Sequence, residues 1–363
     1  MKLGVGAALV GATLVPGDVE IAGGRVERVG IETGHGGRIA APGFVDLQVN
    51  GFGGVDFAGA NGDGYRRAGE ALLETGVTSY LPTLITAPEQ SLLEALRSVP
   101  DEAPGPRILG VHLEGPFLSP ARMGTHPPTA RRDPDPALLQ RLLDAGPVRL
   151  VTLAPELPGA FELIALLQSR GVAVSLGHTD ATAAEAEAAF ELGVRSVTHL
   201  FNAMRPFRHR DPGVAGAALA RDDVLVQLIV DAYHVDATAV LLAWRAAAGR
   251  IALVTDAIAG AGQGDGHYRL GEVAIEVRNG RAQNADDVIA GSVLTMVEAV
   301  RNLHALGVPL ADALRAASTV PALIVGERRV GVLEPGAVAD IVVLDDNLKV
   351  ERVLVGGEAL VAA

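Results

Sequence analysis

One plan of alternating segments repeats between about residue 39 and residue 260, and it limits the folds open to this chain. Each unit has a short β-rich apolar run, a polar or glycine-containing turn, and an alanine- and leucine-rich stretch such as ATAAEAEAAFELG or DATAVLLAWRAAAG. Eight alternating β and α units are what a (β/α)₈ barrel requires. The candidate strands are RIAAPGFVDLQVN, VTSYLPTLIT, RILGVHLEG, VRLVTLAPE, GVAVSLGHT, VRSVTHLFN, VLVQLIVDAYH and IALVTDAIAG.

A doubly wound open sheet is the alternative fold for alternating β and α units. That fold needs a glycine-rich phosphate turn after the first strand, and the NGFGG sequence found there has the wrong spacing. We therefore predict a TIM barrel over residues 39–330, with a β-hairpin insertion near residues 267–283. The segments 1–38 and 331–363 are both strand-rich, and we expect them to pair into one small β-sandwich domain.

Composition narrows the chemistry that such a barrel can perform. The chain of 363 residues has no cysteine, which excludes disulfides, thiolate metal ligands and cysteine nucleophiles. Its only lysines, Lys2 and Lys349, lie near the two ends of the chain, which excludes Schiff-base chemistry and a carbamylated lysine that bridges two metals. The formal net charge of -13 argues against nucleic acid as a partner.

The N-terminal stretch MKLGVGAALVGATLVPG has one positive charge followed by an apolar run, so a secretory signal is one interpretation. The stretch continues directly into DVEIAGGRVERVG, which alternates like a strand, a turn and a strand, and this favours a folded segment. No apolar run reaches the length of about 20 residues that a membrane-spanning helix needs. We expect a soluble, cytoplasmic protein with no membrane contact.

Polar residues able to act in catalysis stand where the strand candidates stop. Any one of them alone is often a capping or core residue. The carboxyl ends of barrel strands meet at one mouth, however, so several such residues together indicate a metal site there. The residues are His112 and Glu114 after the third strand, His178 after the fifth, His199 after the sixth, Asp231 and His234 after the seventh, and Asp256 after the eighth.

Glu114, His178 and His199 form a set of one carboxylate and two imidazoles, which suits zinc or ferrous iron and leaves a position for water. We predict one divalent metal ion per subunit, zinc in the first place and iron as the alternative. Asp256 is the candidate for proton transfer, although an aspartate there also reads as a residue that supports a metal ligand or as a helix cap. His126, on the proline-flanked loop after the third strand, reads either as a group that polarises a carbonyl or as a surface histidine.

The end of the first strand has amides where many metal-dependent hydrolases have two histidines one residue apart. Gln48 and Asn50 occupy these places in DLQVNGFGG. Amide side chains are poor zinc ligands compared with imidazole, and the barrel has no lysine to bridge a second ion. The stretch therefore predicts a one-metal site, in which the two amides at most form hydrogen bonds with water or with neighbouring residues.

Seven short motifs occur in an order and spacing that resemble a known family. Together they resemble the N-acetylglucosamine-6-phosphate deacetylase family of the amidohydrolase superfamily, over nearly the whole chain. The motifs are PGFVDLQVNGFGG, GVHLEGPFLSPARMGTHPP, LGHTDAT, VTHLFNAM, RDPGVAG, VTDAIAG and IAGSVLTM.

The resemblance implies hydrolysis of the acetamide of N-acetylglucosamine 6-phosphate, a step of amino-sugar catabolism. It implies that water activated by the metal loses a proton to Asp256, which then protonates the departing amine, while His126 helps to stabilise the oxyanion. It also implies a homodimer in which Arg210 reaches the phosphate across the interface; the spacing to the DPG sequence favours Arg210 over Arg208. The other residues that it places at the substrate are Thr125, Asn202, Ala203, His234, Ile289, Ala290 and Gly291.

Three alternative functions stay open at this point. A deacetylase that acts on the galacto epimer has the same motifs. A dihydroorotase-like or deaminase-like enzyme usually needs the paired histidines or the carbamylated lysine, and this chain has neither. A non-catalytic sugar-phosphate sensor keeps the pocket but is expected to lose the general base, and Asp256 is present.

Overall fold

The structure, a computed structural model, describes residues 1–31 and 36–362. The α-helices of this part of the chain are α1 (Gly62–Leu73), α2 (Glu89–Ser98), α3 (Pro136–Ala145), α4 (Ala160–Ser169), α5 (Ala183–Glu191), α6 (Gly213–Ala220), α7 (Ala237–Ala246), α8 (Met296–Ala305), α9 (Leu310–Ala316) and α10 (Thr319–Ile324). The strands are β1 (Ala7–Val10), β2 (Thr13–Pro16), β3 (Asp18–Ala22), β4 (Arg25–Ile31), β5 (Ile39–Pro42), β6 (Phe44–Val49), β7 (Gly51–Phe52), β8 (Val55–Asp56), β9 (Val77–Ile85), β10 (Arg107–Ile108), β11 (Val111–Glu114), β12 (Val148–Leu153), β13 (Ala173–Leu176), β14 (Ser196–Val197), β15 (Leu225–Leu228), β16 (Ile251–Leu253), β17 (Gly266–Leu270), β18 (Val273–Arg278), β19 (Arg281–Gln283), β20 (Ile341–Leu344), β21 (Val350–Val355) and β22 (Glu358–Ala362).

Eight parallel strands, β6, β9 and β11 to β16, form a barrel in the order of the chain. Every residue of β6 and β9 is buried, because the helices outside and the side chains inside cover both faces of the sheet. The eighth strand meets the first through a bridge between Val49 and Ala257, where the N–H of Asn50 donates to the carbonyl of Ala257 at 2.8 Å. The predicted TIM barrel is confirmed.

The predicted first strand, RIAAPGFVDLQVN, is two strands that belong to different sheets. β5 pairs with β1 and β20 in the terminal sheet, and only β6 enters the barrel. Gly43 stands at the crossing, where a Cβ atom would lie 2.1 Å from the hydroxyl of Thr78, so only glycine fits. We propose that the division between the two domains lies at Gly43 and not before residue 39.

The two ends of the chain form a sandwich beside the barrel, as the sequence predicts. One sheet has the order β2-β1-β5-β20-β21-β22, and β3 and β4 form a second, two-stranded sheet. Alternate residues of the strands face a separate hydrophobic core, as expected for strands with a side-chain period of two. This core includes Val5, Val19, Ile21, Val26, Ala40, Ile341, Val343 and Leu354.

The insertion after the eighth barrel strand has three antiparallel strands, β17, β18 and β19, where the sequence predicts a simple hairpin. Its apolar face packs on Ile85 and Ile258 of the barrel. Three hydrogen bonds join it to segments that follow barrel strands: from the Tyr233 hydroxyl to the carbonyl of Asn279 at 2.8 Å, from Asn284 Nδ2 to Thr125 Oγ1 at 3.4 Å, and from the Gly271 N–H to Asp56 Oδ2 at 2.7 Å. The insertion therefore covers one side of the mouth.

Helices in the described part of the chain are all too short or too polar to cross a lipid bilayer.

Candidate metal-dependent active site

Glu114, His178 and His199 converge at the barrel mouth, as the sequence predicts. Glu114 is the last residue of β11, and each histidine comes two residues after its strand. Glu114 Oε1 lies 2.8 Å from His199 Nε2 and 3.1 Å from His178 Nε2, and the two Nε2 atoms are 3.2 Å apart. All three side chains are buried, and their donor atoms lie close enough together to hold one metal ion.

A hydrogen bond to the backbone determines which ring nitrogen of His178 carries the proton and which one carries the lone pair. Its Nδ1–H donates to the carbonyl of Arg122 at 2.9 Å, so Nε2 carries the lone pair that points at Glu114 Oε1. Two lone-pair atoms in contact repel each other unless a proton or a cation lies between them. The arrangement therefore fits a cation bound by one carboxylate oxygen and two imidazole nitrogens.

The charge state of the cluster favours the same interpretation. Burial opposes ionisation of Glu114, but contacts with His126, His178 and His199 outweigh it and hold the pKa of Glu114 well below its usual range. Burial also acts to lower the pKa of His199, but the carboxylate of Glu114 raises it overall. A permanent negative charge at the centre of the site attracts a cation.

Three residues at the ends of these strands have positive φ angles. The φ angles of His178, His199 and Asp256 are 48°, 27° and 51°, in the left-handed region that residues with a Cβ atom rarely adopt. Each such residue costs on the order of 1–3 kcal/mol and persists where the surroundings enforce it, which is typical of functional sites.

Asp256 is held by the two amides of the first strand. Its Oδ1 accepts from Asn50 Nδ2 at 2.7 Å and from Gln48 Nε2 at 3.1 Å, and Gln48 Nε2 also donates to Glu114 Oε1 at 3.0 Å. Burial, together with the charge of Glu114, raises the pKa of Asp256 to about 6. No helix follows Asp256, so a helix-capping role is excluded. A buried carboxyl with a pKa near neutrality is suited to accept and return a proton.

His126 is buried at the mouth, and the alternative of a surface histidine is wrong. Thr86 N–H donates to His126 Nδ1 at 3.3 Å, which leaves the proton on Nε2, 3.6 Å from Glu114 Oε2. Burial lowers the pKa of His126 to about 4, so the ring is neutral at pH 7. The side chain therefore presents a neutral N–H donor beside the metal cluster.

A cavity of about 250 Å³ contains these groups and most of the residues that the sequence places at the substrate. It is lined by the cluster, by His126 and Asp256, and by Asn50, Thr125, Asn202, Ala203, His234, Ile289 and Gly291. His234 Nδ1 lies 2.7 Å from Asp231 Oδ2, which orients its ring.

Five candidate residues lie outside the cavity lining, and one of them is Asp231, the partner of His234. Gln48 is buried just below it, where the amide reaches both carboxylates. Ala290 is buried in the core under the inserted strands. His112 lies lower in the barrel, where its Nε2 meets Thr152 Oγ1 at 2.8 Å. Arg210 is exposed on the loop before α6 and is not among the residues that line the cavity.

Sequence reasoning missed the residues that position the predicted ones. Thr86 orients His126, and the carbonyl of Arg122 orients His178. Ile85 and Leu270 form part of the apolar wall of the cavity. The position of Ile85 and Thr86 at the end of the second strand was the available signal, because residues at strand ends of a barrel face the active site.

Comparisons with known proteins agree with this geometry. The sequence model of the amidohydrolase family matches residues 39–360. The human N-acetylglucosamine-6-phosphate deacetylase is 41% identical, over 96% of this chain and 93% of its own length. An N-acetylgalactosamine-6-phosphate deacetylase of Escherichia coli O157:H7 is 36% identical, over 88% of this chain and 87% of its own.

A solved structure is similar over the whole chain. It is an aspartate-to-alanine mutant of the Mycobacterium smegmatis N-acetyl-D-glucosamine-6-phosphate deacetylase in complex with N-acetyl-D-glucosamine-6-phosphate. It superposes with a TM-score of 0.95 at 40% identity, and the match covers 100% of this chain and 99% of that one. The chain therefore belongs to the amidohydrolase family, in the branch of the N-acetylglucosamine-6-phosphate deacetylases.

Proposed function

We propose that this protein hydrolyses the acetamide of N-acetylglucosamine 6-phosphate and releases glucosamine 6-phosphate and acetate, in amino-sugar catabolism. The observation that carries the proposal is the meeting of three elements in one cavity: the Glu114, His178 and His199 cluster, the carboxyl of Asp256, and the neutral N–H of His126. Amide hydrolysis needs an activated water, a group that moves its proton, and a donor for the oxyanion. The metal cluster would activate the water, Asp256 would move its proton, and His126 would be the donor for the oxyanion.

Glu114, His178 and His199 are proposed to hold one divalent ion per subunit, zinc in the first place and iron as the alternative. A bound ion of this kind supplies a Lewis acid that polarises a carbonyl and makes water more acidic. Gln48 and Asn50 do not suit a second ion, because both turn their NH₂ groups toward carboxylates. A donor group repels a cation, so these amides support the carboxylates and leave a one-metal site.

Asp256 is proposed to transfer the proton. Its Oδ1 is occupied by the amides of Asn50 and Gln48, which leaves Oδ2 to accept a proton from the attacking water. The pKa of about 6 allows the carboxylate to be ionised at pH 7 and also to hold the proton briefly. The protonated Asp256 then delivers this proton to the departing amine, and the C–N bond breaks.

His126 is proposed to stabilise the oxyanion. Its Nε2–H donates to the acetamide oxygen, and the hydrogen bond strengthens as negative charge develops there. The imidazole stays neutral through the reaction because burial holds its pKa at about 4. Its role is therefore that of a donor and not of an acid.

The rest of the sugar is proposed to extend toward the sixth and seventh strands. Asn202 and Ala203 line this side together with His234, and Thr125 and the loop from Ile289 to Gly291 close over the ring. We propose that Arg210 binds the phosphate from the second subunit of a homodimer, since its side chain does not line the cavity of its own chain. We further propose that the enzyme acts in the cytoplasm, where sugar phosphates are found.

The galacto epimer is a second candidate substrate, because one of the similar proteins is an N-acetylgalactosamine-6-phosphate deacetylase. The test is acetate release from four compounds: N-acetylglucosamine and N-acetylgalactosamine, each with and without the 6-phosphate. Metal analysis is done on the same sample. We expect the highest kcat/KM with N-acetylglucosamine 6-phosphate and about one metal ion per chain. Tight binding of glucosamine 6-phosphate without acetate release from any of the four would instead identify a sensor.

A further inference from the structure

Ile85 separates the active-site cavity from a second, smaller cavity behind it. Ile85 is the last residue of β9, where it pairs with Glu114 of β11, and its side chain is buried. Within the described chain it is the one residue that lines both the cavity of about 250 Å³ and the rear cavity of about 30 Å³. It therefore acts as the partition between them.

The rear cavity is apolar over most of its surface, and its lining also includes Ser91 and Glu272, which are exposed to solvent. Pro127 and Gly271 line it, and each directly follows a residue that lines the active-site cavity, His126 and Leu270 respectively. Its volume is sufficient for a small apolar group. The apolar side chains that line it are Ala58, Leu84, Ala87, Leu92 and Ala95.

In the binding mode proposed above, the acyl end of the substrate faces this partition. His126, which meets the acetamide oxygen, is bound through Nδ1 to the backbone N–H and the hydroxyl of Thr86, the residue after Ile85. In the same binding mode the sugar extends away from Ile85, toward Asn202 and His234, which line the cavity after the sixth and seventh barrel strands. The methyl group of the acetamide is therefore directed at the apolar wall made by Ile85 and Leu270.

We infer that Ile85 is a specificity-determining residue that limits the acyl group to acetyl, and that the cavity behind it can accept a longer chain when Ile85 is shortened. This inference rests on the proposed deacetylase function. The reaction on a longer amide is the same hydrolysis: water supplies the OH of the carboxylic acid, the C–N bond breaks, and the proton goes to the amine. Only the room for the acyl chain differs.

The test compares N-acetyl- and N-propanoylglucosamine 6-phosphate with the wild type, Ile85→Val and Ile85→Ala. A hydrophobic pocket discriminates by about 10- to 200-fold for one methylene. We expect Ile85→Ala to raise the ratio of kcat/KM for the propanoyl over the acetyl substrate by at least about tenfold. Ile85→Val should change the ratio in the same direction by less, and its β-branched side chain suits a strand end, so it remains informative if Ile85→Ala does not fold.

Leu92→Ala is the matched control. Leu92 lines the rear cavity from its far side and does not touch the active-site cavity, so its truncation enlarges the rear space and leaves the partition in place. The ratio for Leu92→Ala should stay at the wild-type value. If the wild type releases acetate but the ratio is unchanged in both folded Ile85 variants, the inference about Ile85 is overturned and the proposed function is not. A wild type that releases no acetate would contradict the proposed function itself.

Discussion

Replacing Asp256 with asparagine removes one negative charge from the site and almost nothing else. Oδ1 of Asp256 accepts two hydrogen bonds, from Asn50 and from Gln48, and the carbonyl oxygen of an asparagine can accept both. The NH₂ group then occupies the place of Oδ2. The fold and the three metal donors are expected to be unchanged, because Asp256 is not one of the donors.

The cost follows from the group that is lost. An amide cannot take the proton of the attacking water or return it to the amine, so the variant loses its general base and its general acid together. General acid–base assistance contributes roughly 10²- to 10⁴-fold to the rate. This loss corresponds to about 2.7–5.5 kcal/mol of activation free energy. We therefore expect kcat of Asp256→Asn to be lower than that of the wild type by a factor of about 10² to 10⁴.

The assay is acetate release at saturating N-acetylglucosamine 6-phosphate, with metal content and substrate affinity measured on the same preparation. Asp256→Asn should keep the wild-type metal content and bind the substrate with a dissociation constant close to that of the wild type. Turnover within a factor of about three of the wild type would remove Asp256 from the proton-transfer role, because the lower end of the expected range is 10².

Three further predictions follow from the site. Asn50→Leu removes the 2.7 Å hydrogen bond that favours the ionised form of Asp256. Since such a bond is worth about 1.5–3 kcal/mol, the acid limb of the pH profile of kcat/KM should move up by about one to two pH units. An unmoved limb would argue against Asp256 as the titrating group. Arg210→Ala should raise KM for the phosphorylated sugar by about 10- to 150-fold with a smaller change in kcat. If the arginine crosses the interface, mixing this variant with Asp256→Asn subunits should restore turnover at a substrate concentration well below the KM of Arg210→Ala; no recovery in a verified mixed dimer would count against sharing. Chelation should abolish acetate release and lower the Tm, and zinc or ferrous iron should restore both, whereas activity that persists in a metal-free sample would reject the metal mechanism.

The barrel and the metal cluster could be predicted because their signals are local. An apolar run that is buried on both faces, such as β9, reads as a strand of a parallel sheet. The residue that follows it must lie at the mouth of the barrel. Glu114, His178 and His199 follow this rule, so their positions along the chain were sufficient to bring them together.

Other features depend on contacts between segments that are far apart in the sequence, and no local sequence pattern indicates such contacts. The segment from Ile39 to Val49 carries a Pro-Gly pair at residues 42 and 43, but the assignment of its two halves to different sheets depends on pairing with β1 and β20 on one side and with β9 on the other. The carbonyl of Arg122 orients His178, and a backbone acceptor has no sequence signature. The strand-end position of Ile85 indicates that it faces the active site, but its role between two cavities depends on residues from several segments, which the sequence does not bring together.

The sheet that joins the two ends of the chain can be completed only late in the synthesis of the protein. β5 pairs along its length with β20, so the partner of residues 39–42 emerges from the ribosome roughly 300 residues later. At about 5–20 residues per second this interval is about 15–60 s. The strands of the barrel emerge one after another during that time, while one edge of β5 has no partner and is open to pairing with other chains. The catalytic domain is therefore complete before its neighbour closes, and a nascent chain is most exposed to aggregation in its first strands.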